Sequence, residues 1–286
     1  MTPSRVTIVE MSPRDGLQNE ARFVETADKI RLVDMLSDCG FERIEVTSFV
    51  SPKWVPQLAD AAAVMAGIKR RAGTRYAVLT PNMKGFGAAL AADAGEIAIF
   101  ASASETFSQR NINCSIAESV ERFRPVADAS REAGIPMRGY VSCVVECPYE
   151  GAVAPEAAAR VAAELRRLGC FEISLGDTIG RGRPEAVDRM LASVLEEAPA
   201  SMLAGHFHDT SGRALENIDV SLKRGLAVFD ASIGGLGGCP YAPGAKGNVD
   251  TLAVARHLQA KGIETGLPLD ALENVARFAR GLRSDG

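Results

Sequence analysis

The chain has 286 residues, of which 47% are hydrophobic, and a formal net charge of −4 at pH 7. A chain of this length can bury a large core. Acidic and basic residues are mixed along the sequence without a basic block, which argues against a nucleic-acid-binding groove. There is no signal-peptide core or apolar run of membrane length, and the six cysteines lack paired CxxC spacing. We therefore predict a cytoplasmic protein with reduced thiols and no membrane partner.

Short apolar segments rich in β-branched residues recur along the chain, and each is followed by a longer segment of helical periodicity. The eight predicted strands cover residues 5–11, 43–49, 75–80, 96–102, 138–144, 171–177, 202–209 and 228–235. In the segment PEAAARVAAELRRLG, Pro155 suits the first turn of a helix and Gly169 suits its end. Alternation of strands and helices favours a parallel sheet with helical connections.

Eight strand–helix units predict an α/β fold of the (β/α)8 TIM-barrel class, whose typical length is about 250 residues. An open doubly wound sheet is the alternative. That fold usually shows a GxGxxG phosphate loop after the first strand, but MSPRDGLQ stands there, and no Walker loop is found. The residues after about 249 are predicted to form additional C-terminal helices that pack on the barrel. Because no linker is evident, residues 1–286 are predicted to form one domain.

In a TIM barrel the chemistry lies at the carboxyl ends of the strands. His206 and His208 end the seventh predicted strand, and side chains two apart on a strand share one face. They are either half of a metal site or hydrogen-bonded structural histidines. Arg14 and Asp15 follow the first predicted strand, where a carboxylate could bind a cation and a guanidinium an oxyanion. A surface ion pair is the more common role of such a dipeptide.

Other predicted strand ends add candidates. Glu45 lies among apolar residues of the second strand, so it is either buried with a partner or functional. Asp177 ends the sixth strand, where a supporting or helix-capping role is the simpler interpretation. The glycine-rich segment 234–248 could move over a site, and it contains Cys239, a candidate acid or nucleophile. Asn248 ends this segment and either offers an amide oxygen to a cation or caps the next helix.

A barrel would bring Asp15, His206, His208 and Asn248 to the same end of the fold. Two nitrogens and two oxygens, completed by water, suit an octahedral divalent cation. This ligand set does not decide between Mg²⁺, Mn²⁺, Zn²⁺ and Co²⁺. The third histidine, His257, falls on a late helix, where we expect a surface or packing role.

Seven segments, in order along nearly the whole chain, carry a family resemblance. They are VEMSPRDGLQNE, RIEVTSFVSPKWVPQLAD, SETFSQRNINCSIAES, RGYVSCVVECPYEG, EISLGDTIGRGRP, HFHDTSGRALEN and GGLGGCPYAPGAKGN. Together they resemble the 3-hydroxy-3-methylglutaryl-CoA lyases, which belong to the metal-dependent barrel enzymes that also include isopropylmalate and homocitrate synthases. The HxHD motif is shared with the condensing relatives, whereas RDGLQNE, SFVSPKWVPQ and GGLGGCPYAPG are more specific to the lyases.

The resemblance implies a TIM barrel that cleaves 3-hydroxy-3-methylglutaryl-CoA to acetyl-CoA and acetoacetate, as in leucine degradation and ketone-body formation. It implies Asp15, His206, His208 and Asn248 as ligands of Mg²⁺ or Mn²⁺. Asp15 or His206 would take the hydroxyl proton, and Arg14 would neutralise the thioester enolate. Cys239, which lies in the glycine-rich segment, would take part in catalysis. Glu45 would belong to the groups around the cation and substrate. Further residues expected near the substrate are Gln18, Ser48, Asn113, Tyr140, Ser142, Asp177 and Thr178. Relatives suggest a homo-oligomer, a dimer or higher.

Three alternatives stay open at this point. A lyase of the same chemistry could act on a larger 3-hydroxy-3-alkylglutaryl-CoA. An acetyl-CoA-dependent condensing synthase usually carries RDGEQ and a long C-terminal regulatory region, so Leu17 and the short C-terminal segment argue against it. A non-catalytic metal-binding barrel would be expected to lack Arg14 or Cys239, and both are present.

Overall fold

Eight parallel strands close into a barrel in this computed structural model, which describes residues 2–20, 22–237 and 247–283. The strands are β1 (Thr7–Glu10), β2 (Arg43–Ser48), β3 (Arg75–Leu79), β4 (Glu96–Ser102), β5 (Met137–Ser142), β6 (Glu146–Cys147), β7 (Gly151–Ala152), β8 (Glu172–Asp177), β9 (Leu203–Phe207) and β10 (Val228–Ala231). All except β6 and β7 belong to the barrel, in the order β1-β10-β9-β8-β5-β4-β3-β2. Pairing of β1 with both β10 and β2 closes it. The predicted TIM barrel is confirmed, and each predicted strand overlaps one barrel strand.

Helices surround the barrel. They are α1 (Thr26–Asp38), α2 (Ala61–Gly67), α3 (Met83–Ala91), α4 (Glu105–Ile112), α5 (Ile116–Ala133), α6 (Pro155–Leu168), α7 (Pro184–Glu197), α8 (Ala214–Lys223), α9 (Thr251–Ala260) and α10 (Leu269–Arg280). α6 begins at Pro155 and ends before Gly169, whose φ of 96° is readily adopted only by glycine. The additional C-terminal helices are confirmed as α9 and α10. Within the described ranges, no helix combines the length and apolarity needed to cross a bilayer.

The antiparallel pair β6–β7 is the one element pair in the described chain that the sequence did not predict. Strands of two residues are too short to show a period. Cys143, just before β6, and Cys147 pack against Phe107 in a small hydrophobic cluster of their own. All five described cysteines are buried free thiols, as predicted.

The apolar side chains of the barrel strands pack outward against the helices. Ile44, Val78 and Ile97 are fully buried in the main hydrophobic cluster, together with helix residues such as Leu32 and Val126. Successive side chains on a strand point to opposite faces, so the alternate residues point into the barrel. The outward face therefore supplies the hydrophobic core between sheet and helices.

The inward face carries a chain of buried ion pairs. Arg43 binds Glu96 at 2.7 Å and Glu172 at 2.8 Å. Glu172 also accepts a hydrogen bond from Arg138 at 2.7 Å. Arg138 in turn donates to both carboxylate oxygens of Asp230, at 2.7 and 3.1 Å. Branched apolar residues usually fill this space in TIM barrels, so the fold of this chain depends on paired charges in its interior.

Replacement of Arg43 tests this dependence. Arg43→Met removes a cation shared by two buried carboxylates, and we expect the free energy of unfolding to fall by about 3 kcal/mol. Urea denaturation followed by circular dichroism measures the change. Arg5→Met is the matched control, because its ion pair with Glu42 is more than half exposed and should contribute less than about 1 kcal/mol. Equal effects of the two substitutions would contradict a structural role for the interior ion pairs.

Candidate metal centre

Three of the predicted ligands converge at the carboxyl end of the barrel. Asp15 lies in a single π-helical turn, Ser12–Gly16, that follows β1, while His206 is in β9 and His208 is directly after it. The Nε2 atoms of His206 and His208 lie 3.8 and 3.9 Å from Oδ2 of Asp15. Ligand atoms of the three residues all fall within 4.8 Å of one another. The two histidines thus share one face, as their spacing predicted.

Asn248 completes the predicted set. It pairs with His208 in an isolated antiparallel bridge, and its Nδ2 donates to Oδ2 of Asp15 at 2.7 Å. The helix-capping alternative for Asn248 is wrong, because the side chain of Asp250 caps α9 by accepting from the Leu252 N–H. Rotation of the amide by 180° would place Oδ1, which can bind a cation, where Nδ2 now lies. The two orientations have the same shape.

The charge states of these groups suit a cation. Burial raises the pKa of Asp15, but the effects of Arg14 and of the two histidines are larger and lower it to about 2. The carboxylate of Asp15 is therefore ionised. Burial, followed by the neighbouring His206, lowers the pKa of His208 to about 4. Its imidazole is therefore neutral at pH 7, which is the form that binds metals. Burial lowers the pKa of His206, but its contact with Asp230 raises it by more. The carboxylate of Asp15 and the neutral imidazole of His208 lie in one largely buried cluster and fit a divalent ion.

Arg14 is the cationic group beside this cluster. Its Nε donates to Oε2 of Glu45 at 2.6 Å and its Nη1 donates to Asp15. It is 6% exposed, so the alternative of a surface ion pair with Asp15 is wrong. Nη2 makes no hydrogen bond to the described residues. Glu45 joins the site through Arg14, and burial raises the pKa of its carboxyl group.

Comparison with known proteins agrees with this geometry. A sequence profile of the HMGL-like family matches residues 5–279. This chain belongs to the HMGL-like family. The 3-hydroxy-3-isohexenylglutaryl-CoA/hydroxy-methylglutaryl-CoA lyase of Pseudomonas aeruginosa is 57% identical over 275 residues, which cover 96% of this chain and 92% of the relative.

Solved structures of the family share the fold. The HMG-CoA lyase of Brucella melitensis superposes with a TM-score of 0.97 at 65% identity, covering 98% of this chain and 99% of that one. An HMG-CoA lyase of Acinetobacter baumannii, solved with coenzyme A and 3-methylmalate, gives a TM-score of 0.92 at 38% identity and covers 98% and 91% of the two chains.

Two further residues that the family resemblance implied lie at the metal centre. Gln18 donates from Nε2 to Oδ1 of Asp15 at 3.0 Å. The ring of Tyr140 lies 5.5 Å from the guanidinium carbon of Arg14 and 6.3 Å from the ring centre of His206. Both side chains therefore help to position the groups around Asp15.

The remaining implied residues lie away from the ligand atoms. None of those in the described chain hydrogen bonds to Asp15 or to the two histidines: Ser48, Asn113, Ser142, Asp177 and Thr178. Asp177 accepts from the backbone N–H of Gly182 at 2.8 Å, so it supports the loop before α7, and the helix-capping alternative is wrong because no side chain caps that helix. Thr178 accepts from the backbone N–H of Cys143 at 2.8 Å. Cys239, like the rest of 238–246, lies outside the described residues.

Sequence reasoning missed three buried charges around the site, Glu10, Arg138 and Asp230. Each sits within an apolar strand, and that interruption of the pattern was the available signal. Glu10 is fully buried and accepts hydrogen bonds from the backbone N–H groups of Ser12 and Ile233, both at 3.0 Å, and from Oγ1 of Thr251 at 2.7 Å. It therefore ties the turn that carries Asp15 to the segments that precede and follow the glycine-rich residues.

The pH dependence of stability tests the burial of Glu10. Burial raises its pKa from 4.5 to about 7 against the opposing hydrogen bonds. A raised folded-state pKa gives a stabilising contribution that is complete below about pH 4.5 and is lost as the pH rises through 7. Between pH 4.5 and 8, Glu10→Gln should therefore gain about 3 kcal/mol of unfolding free energy relative to the unmodified protein.

Urea denaturation of both proteins at several pH values measures this difference. Glu42→Gln is the matched control, because Glu42 is an exposed carboxylate. We expect the difference in unfolding free energy for this variant not to grow with pH. A constant difference between Glu10→Gln and the unmodified protein across this range would show that the three hydrogen bonds fully offset burial.

Proposed function

We propose that this chain is a metal-dependent carbon–carbon lyase that cleaves 3-hydroxy-3-methylglutaryl-CoA to acetyl-CoA and acetoacetate. The observation that carries the proposal is the largely buried cluster of Asp15, His206 and His208 with the guanidinium of Arg14 beside it. Membership of the HMGL-like family supports the reaction type. The acyl-CoA substrate is supported by the coenzyme A complex of the Acinetobacter baumannii relative.

Asp15, His206, His208 and Asn248 would hold the cation, which is the ligand set that the family resemblance implied. We infer Mg²⁺ or Mn²⁺, because the carboxylate and amide oxygens suit these harder ions. The chemistry that a bound cation supplies is polarisation of the tertiary hydroxyl group, whose pKa it lowers.

Cleavage requires that the tertiary hydroxyl lose a proton and that the C2–C3 electrons pass to the thioester as an enolate. Asp15 and His206 are the two predicted acceptors of this proton. The pKa of Asp15, at about 2, makes its carboxylate the weaker base. His206 is the stronger base of the two, because its Nδ1 is paired with Asp230 at 3.1 Å; the assignment between them stays open.

Arg14 would stabilise the enolate that forms. Nε and Nη1 are held by Glu45 and Asp15, which fixes the guanidinium plane and leaves Nη2 for the thioester oxygen. A donor placed in advance in this way typically contributes a factor on the order of 10² to 10³ in rate. Cys239 or a relay through a histidine would return a proton to the enolate carbon.

A larger 3-hydroxy-3-alkylglutaryl-CoA is the second candidate substrate. The Pseudomonas aeruginosa relative, whose name includes the isohexenyl compound as well as the methyl compound, is 57% identical to this chain. Both thioesters therefore belong in the first assay. A cytoplasmic location, which rests on the sequence, and a homo-oligomeric state, which rests on the family resemblance, complete the proposal.

Acetoacetate production from 3-hydroxy-3-methylglutaryl-CoA, measured in a coupled assay, tests the function. We expect chelated protein to be inactive and Mg²⁺ or Mn²⁺ to restore cleavage. His206→Ala should lose at least about 10²-fold in kcat, as expected for loss of a general base. His257→Ala is the matched control, because His257 in α9 pairs with Asp219 in α8 at 2.8 Å. We expect this variant to retain activity.

The isohexenyl thioester is assayed in parallel under the same conditions. Cleavage of this compound alone would favour the second candidate. If folded protein cleaves neither thioester with any divalent metal, the lyase proposal is wrong.

A further inference from the structure

Asp230 is the most completely hydrogen-bonded carboxylate that touches the metal centre. Arg138 donates to its Oδ1 at 2.7 Å and to its Oδ2 at 3.1 Å, and Ser174 donates to Oδ2 at 2.7 Å. Nδ1 of His206 lies 3.1 Å from the same Oδ2. The residue is 2% exposed, so it does not exchange these partners for bulk water.

These contacts determine which nitrogen of His206 carries hydrogen. Arg138, whose guanidinium is always charged, donates to both oxygens of Asp230, and Ser174 donates to one of them, so Asp230 is paired as a carboxylate. An ionised carboxylate only accepts hydrogen bonds. Nδ1 of His206 must therefore be the donor, and in the neutral imidazole the lone pair then sits on Nε2, which faces Asp15.

His208 lacks this constraint. Its Nδ1 is buried and has no hydrogen-bond partner among the described residues. The two histidines have equivalent positions on one face, with ring centres 5.3 Å apart, yet only His206 has a buried carboxylate behind it. This contrast assigns Asp230 a specific effect on one ligand rather than a general effect on the site.

We propose that Asp230, held by Arg138 and Ser174, is a positioning residue that fixes His206 with its Nε2 lone pair directed at the cation site. Such a partner on the far nitrogen of a histidine orients the ring and typically changes metal affinity by about 10- to 100-fold. The inference rests on the cation site of the proposed function, but its tests require no substrate.

The tautomer of His206 can be measured directly in the unmodified protein. Two-dimensional ¹⁵N NMR of histidine-labelled protein, at a pH where the ring is neutral, reports which nitrogen is protonated. The chain has three histidines, so His257→Gln and His208→Gln variants assign the signals. We expect hydrogen on Nδ1 of His206 without added metal. Hydrogen on Nε2 would overturn the proposal.

Mn²⁺ affinity, measured by electron paramagnetic resonance, tests the consequence for binding. Asp230→Asn should weaken Mn²⁺ binding by about 10- to 100-fold and should release the tautomeric preference of His206. Asp219→Asn is the matched control, because Asp219 forms the corresponding pair with His257 away from the site and should leave Mn²⁺ affinity unchanged.

Unchanged Mn²⁺ affinity in folded Asp230→Asn protein would overturn the proposal. If that variant does not fold, the tautomer measured in the unmodified protein decides the question. Correct tautomer and Mn²⁺ results together with absent cleavage would count against the proposed function and leave the role of Asp230 intact.

Discussion

The hydrogen bonds that Asp230 accepts from Arg138 and His206 connect the two halves of this molecule's interior. On one side, Arg138 continues through Glu172 to Arg43 and Glu96, the ion pairs that fill the barrel. On the other, His206 reaches Asp15 and the candidate cation site. Charges in a medium of low polarity are stable only when each has a partner. The interior therefore forms one connected set, and the position of His206 follows from pairing that begins at the opposite end of the barrel.

Closure of the barrel is the second condition for the site. Asp15 and Asn248 are 233 residues apart in sequence, yet their side chains are hydrogen-bonded. They meet because β1 pairs with β10, which places the turn after the first strand beside the segment after the last. Glu10 secures this arrangement with hydrogen bonds to both sides. The groups that bind a cation thus come from both ends of the chain, and each depends on the completed sheet.

Local patterns in the sequence were enough to predict the barrel, because each strand carries its own periodicity and each helix its own signals, such as Pro155 and Gly169. The shared face of His206 and His208 was predictable for the same reason, because residues two apart on any strand point to the same side. The partners of buried charges were not predictable in this way. Arg138 and Asp230 are 92 residues apart, and only the strand order shows that they meet. Glu45 could be identified as either partnered or functional, but its partner, Arg14, became clear only from the fold. The role of Cys239 remains a prediction.

The central claim is that the buried charges of the barrel create one divalent-cation site at Asp15, His206 and His208. Crystals of the protein equilibrated with Mn²⁺ and measured at a wavelength where manganese scatters anomalously test it most directly. The account predicts a single strong anomalous peak within bonding distance of Oδ2 of Asp15 and Nε2 of His208. Absence of a peak there, at Mn²⁺ concentrations that saturate the protein in solution, or a strong peak at another cluster, would contradict it.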